Sequence, residues 1–226
     1  MEIVKAKITD IDQNGITIFA PYQNVDRAIL RQYNEVQVGL PDGRYISPEQ
    51  RRKAYALMNE IAEWMGELPE FVKRLMKIEF VTNRLQALHK QIFSLADCDM
   101  TTAREFITFL IDFILEHDIP VSVPLYQLSD DIGRYVYACL MRKKCAICGK
   151  KPELHHHEDK VGMGRDRTEI LHIDMRVLPL CPEHHTEAHS VSVKAFNEKY
   201  HMFGIPLTVE IGKKYGLSKK NLGVTA

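Results

Sequence analysis

The chain lacks any apolar run near 18 residues, the length a membrane-crossing helix needs, and its N-terminus lacks the charged, apolar and small-residue succession of a cleavable leader. From both absences we expect no membrane partner and a cytoplasmic location, the host cytoplasm if a phage encodes the chain. Cysteine is scarce, five among 226 residues, which argues against a disulfide framework and for a reducing compartment. Cys98 and Cys139 read as small buried hydrophobes. Net charge is also missing, since 30 Lys+Arg balance 30 Asp+Glu, so no global basic field draws the chain to nucleic acid. Repeats and low-complexity segments are absent. GMGR at 162–165 is not a dinucleotide loop, because no buried strand precedes it. The first half carries no cluster of catalytic residue types.

What is present is concentrated. Residues 145–189 hold three of the five cysteines and seven of the ten histidines. Cys145 and Cys148 form a C-x2-C knuckle, and Cys181 and His184 a C-x2-H pair, together the four ligands of a closed tetrahedral zinc site. The remaining histidines are too many for one metal. His185 and His189 stand at i and i+4, neighbours on one helix face. His155, His156 and His157 follow Pro152 and Leu154 in what reads as a short strand, so a strand of histidines faces a helix of histidines across a hairpin.

This order of C-x2-C, a histidine pair and C-x2-H-H-x3-H resembles the HNH nucleases of the ββα-metal fold, and particularly their zinc-bearing members. The resemblance covers residues 141 to about 200 and implies roles position by position. His155, His185 and His189 stand where the family binds a catalytic divalent ion, and His156 where its general base stands. Cys145, Cys148, Cys181 and His184 fall on the structural zinc positions. A second frame, with His156 as ligand and His157 as base, stays open. The sequence departs from the family at RVLPLC, where Arg176 replaces the usual Asn, so that His172, Asp174 or Arg176 has to orient the base or the site is impaired. Imidazole ligands suit Zn, Ni or Co more than Mg, which leaves Mg, Mn, Ni or Zn as candidates for the catalytic ion. Lys160, Arg165 and Arg167 are candidate phosphate contacts. The bland alternative is a zinc knuckle with spare histidines that only binds DNA.

The expected fold class is α+β: a small hairpin-plus-helices domain over residues 1–128, then a connecting helix, a zinc-stabilised ββα-metal domain and a C-terminal tail over 129–226. EIVKAKITDID and ITIFAPY alternate with period two around Gln13-Asn14-Gly15, a β-hairpin. A helix over 26–33 and a strand at 35–40 should follow. Ser47, Pro48 and Gln50 form a capping-box start for a helix reaching Met65, with Tyr55, Met58, Ile61, Ala62 and Met65 inward and Gly66 ending it. Further helices are expected over 70–76, over 103–117 with a cap at Thr101 or Thr102, after Ser129, and over VKAFNEKYHMF up to Gly204; residues beyond 217 should fray. The charge is unevenly spread: residues 141–226 have an excess of five positive charges and residues 1–140 the matching negative excess.

ISPEQRRKAYALMNEIAEWMG and MTTAREFITFLIDFILEHDIPV resemble the helices of phage recombination mediators typified by the lambda Orf protein (NinB), over roughly residues 1–125. That resemblance implies single-stranded or branched DNA as partner, with a homodimer, a recombinase and a single-strand binding protein as further candidates. Arg44, Arg51, Arg52 and Lys53 would then contact phosphates, although a solvated helix face explains them as well. The combined expectation is a metal-dependent DNA endonuclease of phage recombination or replication. The alternative is a non-catalytic single-strand binding mediator with a degenerate, zinc-stabilised HNH fold.

Overall fold

The computed structural model describes residues 6–32, 34–35, 38, 43–84, 93–158 and 170–223. The chain divides into two compact units, Met1–Pro41 and Asp42–Ala226. Both are built from helices and small antiparallel sheets, an α+β architecture.

In the first unit, β1 (Lys7–Asp12) and β2 (Gly15–Phe19) pair antiparallel around the expected turn, with Asp12 Oδ1 accepting from the amides of Asn14 at 2.7 Å and Gly15 at 3.0 Å. Helix α1 (Val25–Leu30) follows and ends three residues short of the expected 33. The strand expected at 35–40 lies mostly outside the described residues.

The second unit opens with α2 (Pro48–Met65). Its capping box closes as the sequence requires: Ser47 Oγ accepts from the Gln50 amide at 3.0 Å, Gln50 Oε1 accepts from the Ser47 amide at 3.1 Å, and Gly66 ends the helix in the left-handed region. The buried face is Ala54, Leu57, Met58, Ile61 and Ala62, so Tyr55 lies off the expected stripe and is exposed. Helix α3 (Pro69–Arg84) is twice as long as the 70–76 expected, because its apolar period continues through Met76 and Phe80 into the core. Helix α4 (Met100–Glu116) is capped by Asp99, whose carboxylate accepts from the Thr102 amide at 2.8 Å and so takes the place expected for Thr101 or Thr102. Its buried residues, Phe106, Ile107, Leu110, Ile111 and Ile114, pack on α2.

After the single turn α5 (Leu125–Leu128), helix α6 (Ile132–Arg142) starts from an Asp131 cap rather than Ser129. It crosses α4 and reaches the second sheet, ordered β3 (Glu153–His156), β4 (Arg176–Leu180) and β5 (Ile205–Pro206). Helices α7 (Pro182–Ser190) and α8 (Val193–Tyr200) stand between β4 and β5, and α9 (Val209–Lys214) follows. Helix α8 ends at His201, whose φ of 47° stops it before Gly204. Residues 218–223 are not a frayed tail: Leu222 and Asn221 are buried, with Leu222 joining the core. One apolar core runs from Ile46 to Leu222 and includes residues on both sides of position 128.

Candidate metal centre

The first donor cluster forms where two short elements meet. Gly149, at φ 72°, closes the knuckle by donating its amide to the Cys145 carbonyl at 2.9 Å, and the Cys145 amide bonds the Lys150 carbonyl at 2.7 Å. Cys181 occupies the N-cap of α7, with Pro182 in the first turn, so that one helical turn brings His184 back beside it. Cys181 Sγ lies 3.2 Å from His184 Nδ1, Cys145 Sγ 3.7 Å from the same nitrogen, and Cys148 Sγ 3.6 Å from Cys181 Sγ. A zinc tetrahedron with ordinary Zn–S and Zn–N lengths has edges of roughly 3.5–3.8 Å, so these four donors can hold zinc with little movement. Burial pushes the Cys181 thiol up, but hydrogen bonds from His184 outweigh it and hold the group at about 7, close to the thiolate form that a metal takes. The knuckle is tied to the core on two sides. The Ala146 amide donates to the Pro179 carbonyl at 2.9 Å, and its carbonyl accepts the buried Tyr135 hydroxyl of α6 at 2.7 Å.

The second cluster lies between β3 and α7. Strand alternation sends His155 toward the helix, where its ring centroid is 4.7 Å from His185 and 5.0 Å from His189. One nitrogen from each of these three residues lies within 4.8 Å of the others. His155 is 3% exposed and its buried Nδ1 has no hydrogen-bond partner among the described residues, a deficit that metal ligation can remove. Burial, then the neighbouring imidazoles, lower its pKa to about 3, so it is the neutral ligand form at neutral pH. Glu153, two residues earlier on the same face of β3, adds a carboxylate that the sequence reading missed. Its Oε2 lies 2.7 Å from His185 Nδ1. A proton on Nδ1 donated to that oxygen leaves Nε2 as the donor toward a metal, the arrangement by which outer carboxylates orient ligating imidazoles. Period two from His155 was the available signal.

His156 is not among the donors of this cluster, and its Nε2 is 2.8 Å from Nδ1 of the buried His172. His157 is also buried. Its amide bonds the Arg176 carbonyl at 2.8 Å and its Nε2 lies 2.5 Å from Asn197 Oδ1, an engagement with α8. Arg176 itself donates to the Gly204 carbonyl at 2.9 Å and pairs with Glu158 at 3.3 Å, spanning the β4–β5 edge.

The remaining expected residues are dispersed. Lys160, Arg165 and Arg167 lie outside the described residues. Arg51 donates to the carbonyls of Leu95 and Ala96, each at 2.8 Å, and Lys53 pairs with Asp130 at 2.7 Å and Glu49 at 3.2 Å, so both serve the fold. Arg52 is exposed on the same helix. No helix among the described residues is long and apolar enough to cross a membrane.

Residues 19–217 match the profile of a family described as "Putative HNHc nuclease". No curated protein and no solved structure matches the chain.

Proposed function

Since this chain belongs to the HNHc nuclease family, we propose that it is a metal-dependent DNA endonuclease in which His156 is the general base and His155, His185 and His189 hold the catalytic ion. Cys145, Cys148, Cys181 and His184 hold a structural zinc in this reading. The observation that carries it is the pair of donor clusters on one ββα framework, a four-donor nest with zinc-like edges beside a three-imidazole nest with Glu153 behind it. A single structural zinc would account for the first and leave the second unexplained.

A phosphodiester resists hydrolysis because its charge repels nucleophiles and its alkoxide is a poor leaving group. When bound, a divalent cation supplies positive charge for a non-bridging oxygen and for the departing 3′-oxygen. His156 removes a proton from a water lined up with the scissile bond; the hydroxide attacks phosphorus, the P–O3′ bond breaks, and the departing 3′-oxygen takes a proton from solvent, giving 5′-phosphate and 3′-hydroxyl ends. His155, neutral and buried, fixes one side of the ion site, and Glu153 fixes the rotation of His185. His155, His185 and His189 would supply three donors to the ion, one fewer than a closed four-ligand site takes.

The finer assignment is a phage recombination or replication enzyme, with residues 1–128 binding DNA and residues 129–226 cutting it. It is supported by the likeness of the α2 and α4 sequences to Orf-type mediators and by exposed Arg52 on α2. The division is one of labour, since both parts share a core. Supercoiled and branched DNA should be cut with at least one of Mg, Mn, Ni, Co or Zn, and His156→Ala should abolish cutting at unchanged zinc content.

Arg176, in place of the usual Asn, favours a second reading as a binding-only mediator. Under it no metal supports cleavage by the natural chain, single-stranded DNA still binds with a salt-dependent affinity, and Arg176→Asn restores cutting.

A further inference from the structure

We infer that His172 is the positioning residue of the base, holding His156 in the one tautomer able to accept a proton from water, and that Asn221 holds His172 in place. The inference rests on the reading of His156 as base; it decides for His172 among the three residues that could stand in for the missing Asn, and adds Asn221, to which the motif assigns no role.

His172 is 5% exposed and lies 16 positions after His156, in the segment that leads into β4. Its Nδ1 is 2.8 Å from His156 Nε2, close enough that one proton must lie between them. If His172 supplied that proton, a neutral His156 would carry its own on Nδ1 and have no lone pair left for water. The productive arrangement is the other one. His156 keeps its proton on Nε2 and donates it to His172 Nδ1, His172 carries its proton on Nε2, and the basic lone pair is on His156 Nδ1. When His156 takes up the water proton it becomes a cation, and the same Nε2–H to Nδ1 bond becomes charge-assisted. It therefore strengthens as the transition state is approached, the condition for lowering a barrier rather than binding a ground state.

Buried His172 can do this only if its backbone is fixed, and the C-terminal segment fixes it. The Asn221 carbonyl accepts the His172 amide at 2.8 Å, while Asn221 Nδ2 donates to the Ile170 carbonyl at 2.9 Å, so one residue holds the segment at two points. Asn221 is itself 6% exposed, with its amide donated to Ser218 Oγ at 3.2 Å. On the other side, the Met175 amide bonds the His172 carbonyl at 3.2 Å, and the Asp174 amide bonds Leu207 at 3.1 Å.

The test uses the full zinc-loaded chain, labelled with nitrogen-15 at histidine, as wild type, His172→Ala, His172→Asn, Asn221→Ala and His156→Ala. Long-range proton–nitrogen spectra read the His156 tautomer, and cleavage kinetics on supercoiled DNA separate kcat from KM. We expect a single Nε2–H tautomer for His156 in the wild type and a mixture in His172→Ala. The kcat of His172→Ala should drop about 10- to 100-fold, a part of what a general base contributes, with KM changed less than about twofold. His172→Asn can place an amide oxygen, an acceptor, where Nδ1 stands and should recover most of both signals. Asn221→Ala should fall between wild type and His172→Ala. An unchanged His156 tautomer with kcat within about twofold of wild type in His172→Ala overturns the inference and leaves the nuclease reading standing. If His172→Ala loses its zinc or its fold, His172→Asn decides, and failure of that variant to keep the wild-type tautomer counts against the inference. If the wild type cuts with no metal, the nuclease reading falls, and the tautomer spectra still decide whether His172 positions His156.

Discussion

Glu153 shows how much a single side chain can set at this site. With its oxygen 2.7 Å from His185 Nδ1, it would leave Nε2 as the nitrogen free for the proposed ion. Removing such an outer partner typically weakens metal affinity about 10- to 100-fold. Glu153→Ala should therefore weaken binding of a divalent ion by that order in calorimetric titration, while the zinc held by the four-donor nest stays in place. Glu153→Gln, which keeps an oxygen but not the charge, should fall between. At this scale the sequence was readable wherever chemistry forces spacing. C-x2-C, C-x2-H and H-x3-H fix which donors can meet, and the structure brings those donors together. It was unreadable where contact depends on a long return of the chain. The motif left three candidates to orient His156, and only the contact itself singles out His172; nothing around Arg51 reveals that its guanidinium caps carbonyls of Leu95 and Ala96.

Among the elements, the β4–β5 edge is the tightest joint of the site. A Cβ placed on Gly204 would lie 3.0 Å from the Arg176 Cβ and 3.2 Å from the His157 Cβ, both stem atoms that cannot swing aside. Gly204→Ala should thus push β5 off β4, loosen the Arg176 bond to the residue 204 carbonyl and cost about 1–3 kcal/mol, measured as a lowered urea midpoint at unchanged slope. The corresponding clash at Gly212 is with the end of the Leu222 side chain, so Gly212→Ala should cost less overall and act mainly by displacing the C-terminal turn. Helix starts were legible where a cap and a proline coincide, as at Ser47 and Pro48. Ends were harder. Helix α3 outran its expected length because packing on the core, not local propensity, sustains it, and α8 stopped early on a left-handed His201 that propensity does not favour.

For the whole molecule, the important fact is that the knuckle and the helices share one core from Ile46 to Leu222. Tyr135 of α6 bonds the knuckle backbone, and α6 also packs on α4, so if the knuckle holds the proposed zinc its loss would not stay local. Chelation should lower the melting temperature of the 42–226 unit as one calorimetric transition. A separate low-temperature transition for the knuckle, with α2–α4 melting unchanged, would mean the coupling is absent. Cys148→Ser should reproduce the destabilised transition without chelator. Composition and periodicity revealed the α+β class. They could not reveal that the parts share a core, since shared packing leaves no periodic mark.

The hold of Asn221 on the segment of His172 also has a meaning in time. Chains are made from the N-terminus and their parts fold as they emerge, so in this protein the donors for both ions are all synthesised by His189, well before residue 221. If both clusters bind metal as proposed, a nascent chain could load them while the segment of His172 still lacks its anchor. Cutting competence would then come later than metal loading, once residue 221 has been made and has docked on the segment of His172.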